Sequence, residues 1–225
     1  GYHLPQMLDW VRLLGQQPVA GLLVPAPLYI RPSQAGLRHW FEAIATASPV
    51  PLIVYDIPYR TGSRIEVDTL LALADHPNIH AAKDCGGDAH KTQKLIADGR
   101  LRVLAGEDAQ MFSTVALGGA GAISAAAHVN TAAWVQVLQR LQAGDLPTAQ
   151  RMWHALAPVI EALFNEPNPA LIKAVLAHQG QMTPELRPPM MAATPEGTAA
   201  MLQLLDGTAA ASRERATCAG DLSRR

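Results

Sequence analysis

PLIVYDIPYRTGSRIEVDTLLALADHPNIHAAK, residues 51–83, holds one full turn of the pattern that decides the fold. It opens on a continuous apolar run, Pro51 to Tyr55, as a strand buried on both faces requires. Asp56 to Gly62 then form a loop. Val67, Leu70, Leu71 and Ala74 recur at helical spacing, and Asn78 to Lys83 reads as a strand again. Strand, helix and strand in this order join parallel strands through a right-handed crossover.

The alternation continues in both directions. Upstream, Leu4, Met7, Leu8 and Val11 mark a helix, Val19 to Val24 a buried strand, and Leu37, Trp40, Phe41 and Ile44 the next helix. Downstream come a polar-faced helix over about Asp88 to Ala97, a strand at Arg102–Ala105 and a helix near Met111, Phe112 and Val115. A strand at Ala120–Ser124 follows, with its helix at Trp134, Val137, Leu138 and Leu141.

With Val24, Tyr55, Lys83, Ala105 and Ser124 as strand ends, the intervals are 31, 28, 22 and 19 residues. No G-x-G-x-x-G fingerprint follows the first strand, which weakens a dinucleotide-binding reading. The closed alternative is a (β/α)8 TIM barrel of about 250 residues. Five βα units are legible, and three more at this spacing need about 75 residues, so the expectation is the last five units of an eight-unit barrel. Residues 1–144 form that partial barrel. A C-terminal helical extension over 145–206 follows, with stripes at Met152–Leu163, after Asn168-Pro169, and at Ala199–Leu205. Residues 207–225, without aromatics, read as a disordered tail.

Composition sets outer bounds. Eighteen basic against nineteen acidic residues leave a net charge of −1. That argues against nucleic acid and membrane surfaces as partners, since both recruit a basic excess. No apolar run reaches the ~20 residues of a membrane span. Only two cysteines occur, Cys85 and Cys218, too few for a disulfide framework, so a cytoplasmic location is expected. The eight histidines show no metal-ligand spacing, and no metal or other cofactor is expected.

Four lysines are present. Lys91, Lys94 and Lys173 sit in helical, solvent-leaning patterns, whereas Lys83 closes an apolar strand at its C-terminal end, the catalytic face of a barrel. A lysine desolvated there has its pKa pushed down, which frees amine to attack a carbonyl. A rim lysine paired with Asp84 or Asp88 fits the position equally well. Tyr55 closes the preceding strand, and its phenol could move protons to and from an imine on Lys83. Arg60 on the loop after it offers a fork for a carboxylate. Each alone also reads as ordinary structure: a core tyrosine, a surface cation. Cys85 lacks an obvious base partner and reads as packing.

LIVYDIPYRTG (52–62), followed 28 residues after Tyr55 by Lys83 in AAKDCGGD, resembles the dihydrodipicolinate synthase and N-acetylneuraminate lyase family of Schiff-base aldolases. PLYIRPSQAGL (27–37), AGED (105–108), GGAGAIS (118–124) and LFNEPNPALIK (163–173) match it in order and at compatible spacing. The likeness runs from about Gly1 to Leu205. Arg60-Thr61-Gly62 and the EPNP segment favour 4-hydroxy-tetrahydrodipicolinate synthase within the family.

The resemblance implies a lyase of lysine (diaminopimelate) biosynthesis that condenses pyruvate with aspartate semialdehyde. Lys83 would carry the imine, with no other cofactor, and Tyr55 would be proton donor and acceptor. Tyr29 would reach into a neighbouring subunit's site and join the relay. Arg60 would hold the semialdehyde's carboxylate, Thr61 and Gly62 would also bind substrate, and the backbone at Ile123 would contact pyruvate. A homo-oligomer is implied, a dimer of dimers. The family's Gly-Thr-Thr-Gly-Glu motif would lie upstream of Gly1. Leu28 replaces the first tyrosine of the family pair near its lysine-inhibitor site. Two other readings stay open: a paralogue acting on a sugar acid or a 2-oxo acid, and a non-catalytic remnant.

Overall fold

The computed structural model describes residues 1–222, with side chains through Thr208. Helix α1 (Leu4–Leu14) leads to strand β1 (Leu22–Pro25), α2 (Gln34–Ala47) and β2 (Leu52–Asp56). A short helix α3 (Pro58–Thr61) and α4 (Val67–Leu73) precede β3 (Ile79–Asp84), α5 (Ala89–Asp98) and β4 (Arg102–Ala105). Then come α6 (Met111–Ala116), the two-residue strand β5 (Gly121–Ala122), and helices α7 (Thr131–Gln142), α8 (Leu146–Ala162), α9 (Ala170–His178) and α10 (Pro195–Leu222). The strands form one parallel sheet in the order β1-β2-β3-β4-β5.

Two compact units divide the chain, residues 1–123 and 124–225. In the first, the apolar stripe of α2 (Leu37, Trp40, Phe41, Ile44) packs with Leu52 and Val54 of β2 and with Ile65, Leu70 and Leu73 around α4. Helix starts follow local chemistry. The Ser33 hydroxyl accepts from the Gly36 N–H at 3.2 Å, and Asp88 accepts from the N–H groups of His90 and Lys91, satisfying donors that a helix start leaves free. The Asn78 amide donates to the carbonyls of Ala45, Ser48 and Val50, fastening the turn before β2 to the start of β3.

In the second unit Trp134 of α7 meets Trp153 of α8 edge to face, with centroids 5.7 Å apart. Asp145 caps α8 through the Thr148 N–H. Glu166 accepts from the N–H and hydroxyl of Thr194, pinning the start of α10.

The first strand begins at Leu22 rather than Val19. The Val19 N–H turns back to Gln17 O at 2.7 Å, and the ladder starts with Leu22 N–H to Pro51 O at 2.9 Å. The disordered tail expected over 207–225 falls largely outside the described side chains, although the backbone of α10 runs on to Leu222. Among the described residues no helix is long and apolar enough to cross a membrane.

Candidate active site

Strands β2 and β3 are neighbours in register, Tyr55 beside Lys83 and Asp56 beside Asp84. Because they run parallel, both pairs lie at C-terminal strand ends, where α/β folds place their chemistry. Lys83 is buried, 9% exposed, and its Nζ stands 4.2 Å from the centroid of the Tyr55 ring. The next residue after β4 has to be small. A Cβ on Gly106 would come 3.0 Å from Lys83 Cε and collide with Cys85 Sγ. Glycine there leaves the lysine stem and the sulfur room against the strand end.

Cys85 Sγ donates a long hydrogen bond to the Tyr55 phenol, at 3.8 Å. Burial is the main reason the Tyr55 pKa is raised well above that of free tyrosine, so the group is a proton donor at neutral pH. Burial also pushes Cys85 up to about 12 and Tyr59 up to about 12, with the Glu107 carboxylate adding to both. Glu107 follows β4 and buries its Oε1 without a hydrogen-bond partner. Tyr55, Cys85, Glu107 and Tyr59 thus form one polar seam beside Lys83.

The state of Cys85 is testable. A pKa raised from 9.0 to about 12 cuts the thiolate fraction at pH 8 by roughly a thousandfold, and the thiolate is the reactive form. Iodoacetamide at pH 8 should therefore modify Cys85 at least ~100-fold more slowly in the folded chain than in urea. Peptide mass spectrometry reads the rate, and equal rates in the two states would refute the buried placement.

Tyr29, Arg60, Thr61 and Gly62 come together elsewhere in the same unit. With Leu28, Ile30, Arg31 and Tyr59 they line an open groove of about 780 Å³. The Tyr29 N–H donates to Thr61 O at 3.1 Å, while the Tyr29 side chain is 88% exposed. Tyr29 and Arg31 hold positive φ angles of 74° and 46°, backbone strain that concentrates at functional sites. Arg60 lies over the Tyr59 ring, 5.8 Å from its centroid. The Thr61 hydroxyl is occupied internally, its one proton shared between Ile57 O and Ser63 O while its oxygen accepts from the Ser63 N–H. Gly62 closes α3 with φ 77°, and Arg31 Nε lies 3.2 Å from where a Cβ would stand. The Ile123 N–H is taken by Ala105 O at 3.0 Å. Tyr59 lines the groove and also faces Glu107, so it links the two groups.

Lys91 corrects the expectation of a solvent-leaning lysine. It is 3% exposed, its Nζ bound to Asp56 Oδ2 and, at 2.8 Å, to Asp84 Oδ1. Helical periodicity reports which residues share a stripe but not that two strand-end carboxylates wait beneath one of them. Glu107 was visible only as a charge just past an apolar strand, the same signal that singles out Lys83. Among the described residues no group of three or more His, Cys, Asp and Glu could hold a metal ion.

Residues 5–207 match the model of the Dihydrodipicolinate synthetase family. The chain is 37% identical over 194 residues to 4-hydroxy-tetrahydrodipicolinate synthase 2 of Clostridium acetobutylicum, covering 85% of this chain and 68% of that protein. It is 39% identical over 189 residues to the 4-hydroxy-tetrahydrodipicolinate synthase of Enterococcus faecalis, covering 84% and 65%. It superposes with a TM-score of 0.89 and 28% identity on the crystal structure of chloride-inhibited dihydrodipicolinate synthase from Acinetobacter baumannii complexed with pyruvate, covering 92% and 72%. The chain thus spans about two thirds of the length of the curated relatives it matches.

Proposed function

Because this chain belongs to the dihydrodipicolinate synthetase family, we propose that it supplies the catalytic lysine and tyrosine of a lyase condensing pyruvate with aspartate semialdehyde to 4-hydroxy-tetrahydrodipicolinate. The observation that carries this reading is the seating of Lys83 Nζ 4.2 Å from the Tyr55 ring centroid, on paired residues of two neighbouring parallel strands. The Acinetobacter relative's complex with pyruvate supports the same first substrate here. A cytoplasmic location in lysine biosynthesis goes with the proposal.

The chemistry follows from the geometry. The Lys83 amine adds to the ketone carbon of pyruvate, and a proton passes from its nitrogen to the new alkoxide oxygen. The Tyr55 phenol protonates the departing hydroxyl, and water leaves an imine. The Tyr55 phenolate left by that step takes a C3 proton to give the enamine, whose C3 attacks the semialdehyde's aldehyde carbon while the phenol returns a proton to the new alkoxide oxygen. The semialdehyde's own amine then adds to the imine carbon, and Lys83 departs as the ring closes. The covalent imine is the electron sink, so no other cofactor enters the scheme. Arg60, with the Thr61 and Gly62 backbone, is assigned the semialdehyde carboxylate. With the Ile123 N–H already bound to Ala105, the Ile123 carbonyl is the backbone group assigned to pyruvate.

The five strands are read as the last five units of an eight-stranded barrel. Tyr29, exposed on a strained turn, is read as the residue that enters a neighbouring subunit's site, which implies a homo-oligomer. Incubation with pyruvate and borohydride should add the mass of a reduced pyruvyl group to the peptide carrying Lys83. The same mass on another lysine, or on none, would overturn the proposal.

A further inference from the structure

The scheme above leaves unused the most enclosed charges of the first unit, Lys91, Asp56 and Asp84, which are 3%, 1% and 4% exposed. Asp56 directly follows Tyr55 and Asp84 directly follows Lys83, and the two aspartates are themselves register partners. Successive side chains of a strand point to opposite faces. The aspartates therefore lie behind the reactive pair, where α5 brings Lys91 to both: Nζ binds Asp56 Oδ2 and Asp84 Oδ1. Each oxygen of the two carboxylates has a partner. Asp84 Oδ2 accepts from the Thr92 hydroxyl at 2.6 Å and Asp84 Oδ1 from the Gly86 N–H at 2.9 Å, while Asp56 Oδ1 accepts from the Ile65 N–H at 3.2 Å. A Cβ on Gly86 would collide with Lys91 Nζ, so the turn after Lys83 is shaped to admit the ammonium.

Burial opposes the Lys91 ammonium, but the two carboxylates more than offset it and its pKa is raised. Burial raises Asp56 against the pull of Lys91. Three buried charges are a costly way to hold two strands, because well-packed apolar side chains do as well or better. What the ion cluster provides and an apolar patch does not is direction: it fixes both strand ends relative to one point.

We propose that Lys91 is a positioning residue for the reaction, and that its bridge between Asp56 and Asp84 sets the separation of Tyr55 and Lys83. The proposal rests on the Lys83 imine assigned above. A misplacement of about 1 Å between reacting groups costs up to ~100-fold in rate, so loosening the bridge slows imine formation without removing any group that touches pyruvate.

The test compares three forms of the full chain: unaltered, Asp56→Asn, and the triple variant Asp56→Asn, Asp84→Asn, Lys91→Met. Each is assayed for the rate of borohydride trapping of pyruvate on Lys83 per folded molecule, with near-UV circular dichroism and thermal unfolding as folding controls. The triple variant removes all three charges together, so no buried ion is left unpaired, and near-UV circular dichroism shows whether it folds. Its limiting trapping rate should fall at least ~10-fold while half-saturating pyruvate is unchanged. Asp56→Asn keeps the Lys91–Asp84 pair and should slow trapping by about threefold, and it decides the question alone if the triple variant does not fold. A folded triple variant, or failing that Asp56→Asn, that traps at the unaltered rate assigns the cluster to stability alone and overturns the proposal. No adduct on Lys83 of the unaltered chain overturns the Lys83 reading first, and this one with it.

Discussion

Lys83→Met should abolish adduct formation with pyruvate and lower condensation by on the order of 10⁴-fold or more, as losing a covalent nucleophile does. Methionine keeps an unbranched stem of similar length, so the space that Gly106 leaves against Lys83 Cε stays filled. The fold should therefore survive, with the melting temperature unchanged or slightly higher, because a buried cation is replaced by an apolar group. None of the other three lysines is positioned to substitute. Lys91 is committed to two carboxylates, Lys94 is exposed on α5, and Lys173 donates to Glu185 O. Steady-state turnover and whole-protein mass after borohydride trapping decide the matter. A Lys83→Met chain that still acquires the pyruvyl mass would mean that the imine forms elsewhere.

The placement of Tyr55 beside Lys83 was legible because its signal is local. Tyr55 and Lys83 each terminate a short apolar run, and a polar side chain at that point of a parallel strand faces the end where loops gather. The sheet was legible for the same reason, since strands buried on both faces advertise themselves as unbroken apolar runs. The start of β1 was not. Val19 and Ala20 continue the apolar run, and only the Val19 turn to Gln17 O removes them from the ladder. The positioning cluster was hidden for a deeper reason. Asp56, Asp84 and Lys91 come from two strands and a helix, with Lys91 and Asp56 35 residues apart. Each alone looks like an ordinary charged residue in a loop or on a helix face. Their burial is a property of the crossover geometry, which brings α5 behind the ends of β2 and β3. Glu107 and Tyr59 share that fate: their seam exists only once β4 lies beside β3.

Tyr55→Phe should separate two jobs that the phenol performs. The ring stays over Lys83 Nζ, so the contact at 4.2 Å from its centroid survives, and the substitution removes only the oxygen to which Cys85 Sγ donates at 3.8 Å. A hydrogen bond that long and weak contributes little to stability, so the melting temperature should move by no more than a few degrees. Proton transfer is another matter. The Tyr55 pKa is raised chiefly by burial, which keeps the phenol protonated while making its anion costly. Such a group works as a donor and as a brief relay, and removing it should cost about 10²- to 10⁴-fold in kcat, the range for a general acid–base group. Each catalysed proton movement should suffer: dehydration to the imine, and exchange of the pyruvate C3 protons with deuterium from solvent. Borohydride trapping on Lys83 should still be seen, more slowly, because the amine itself is untouched. Pyruvate exchange followed by NMR alongside the trapping rate tests the division of labour. If exchange in the Tyr55→Phe chain runs at the unaltered rate, the proton carrier is another group, and in this geometry the Glu107 carboxylate, with its buried Oε1 unpartnered, is the next one to replace.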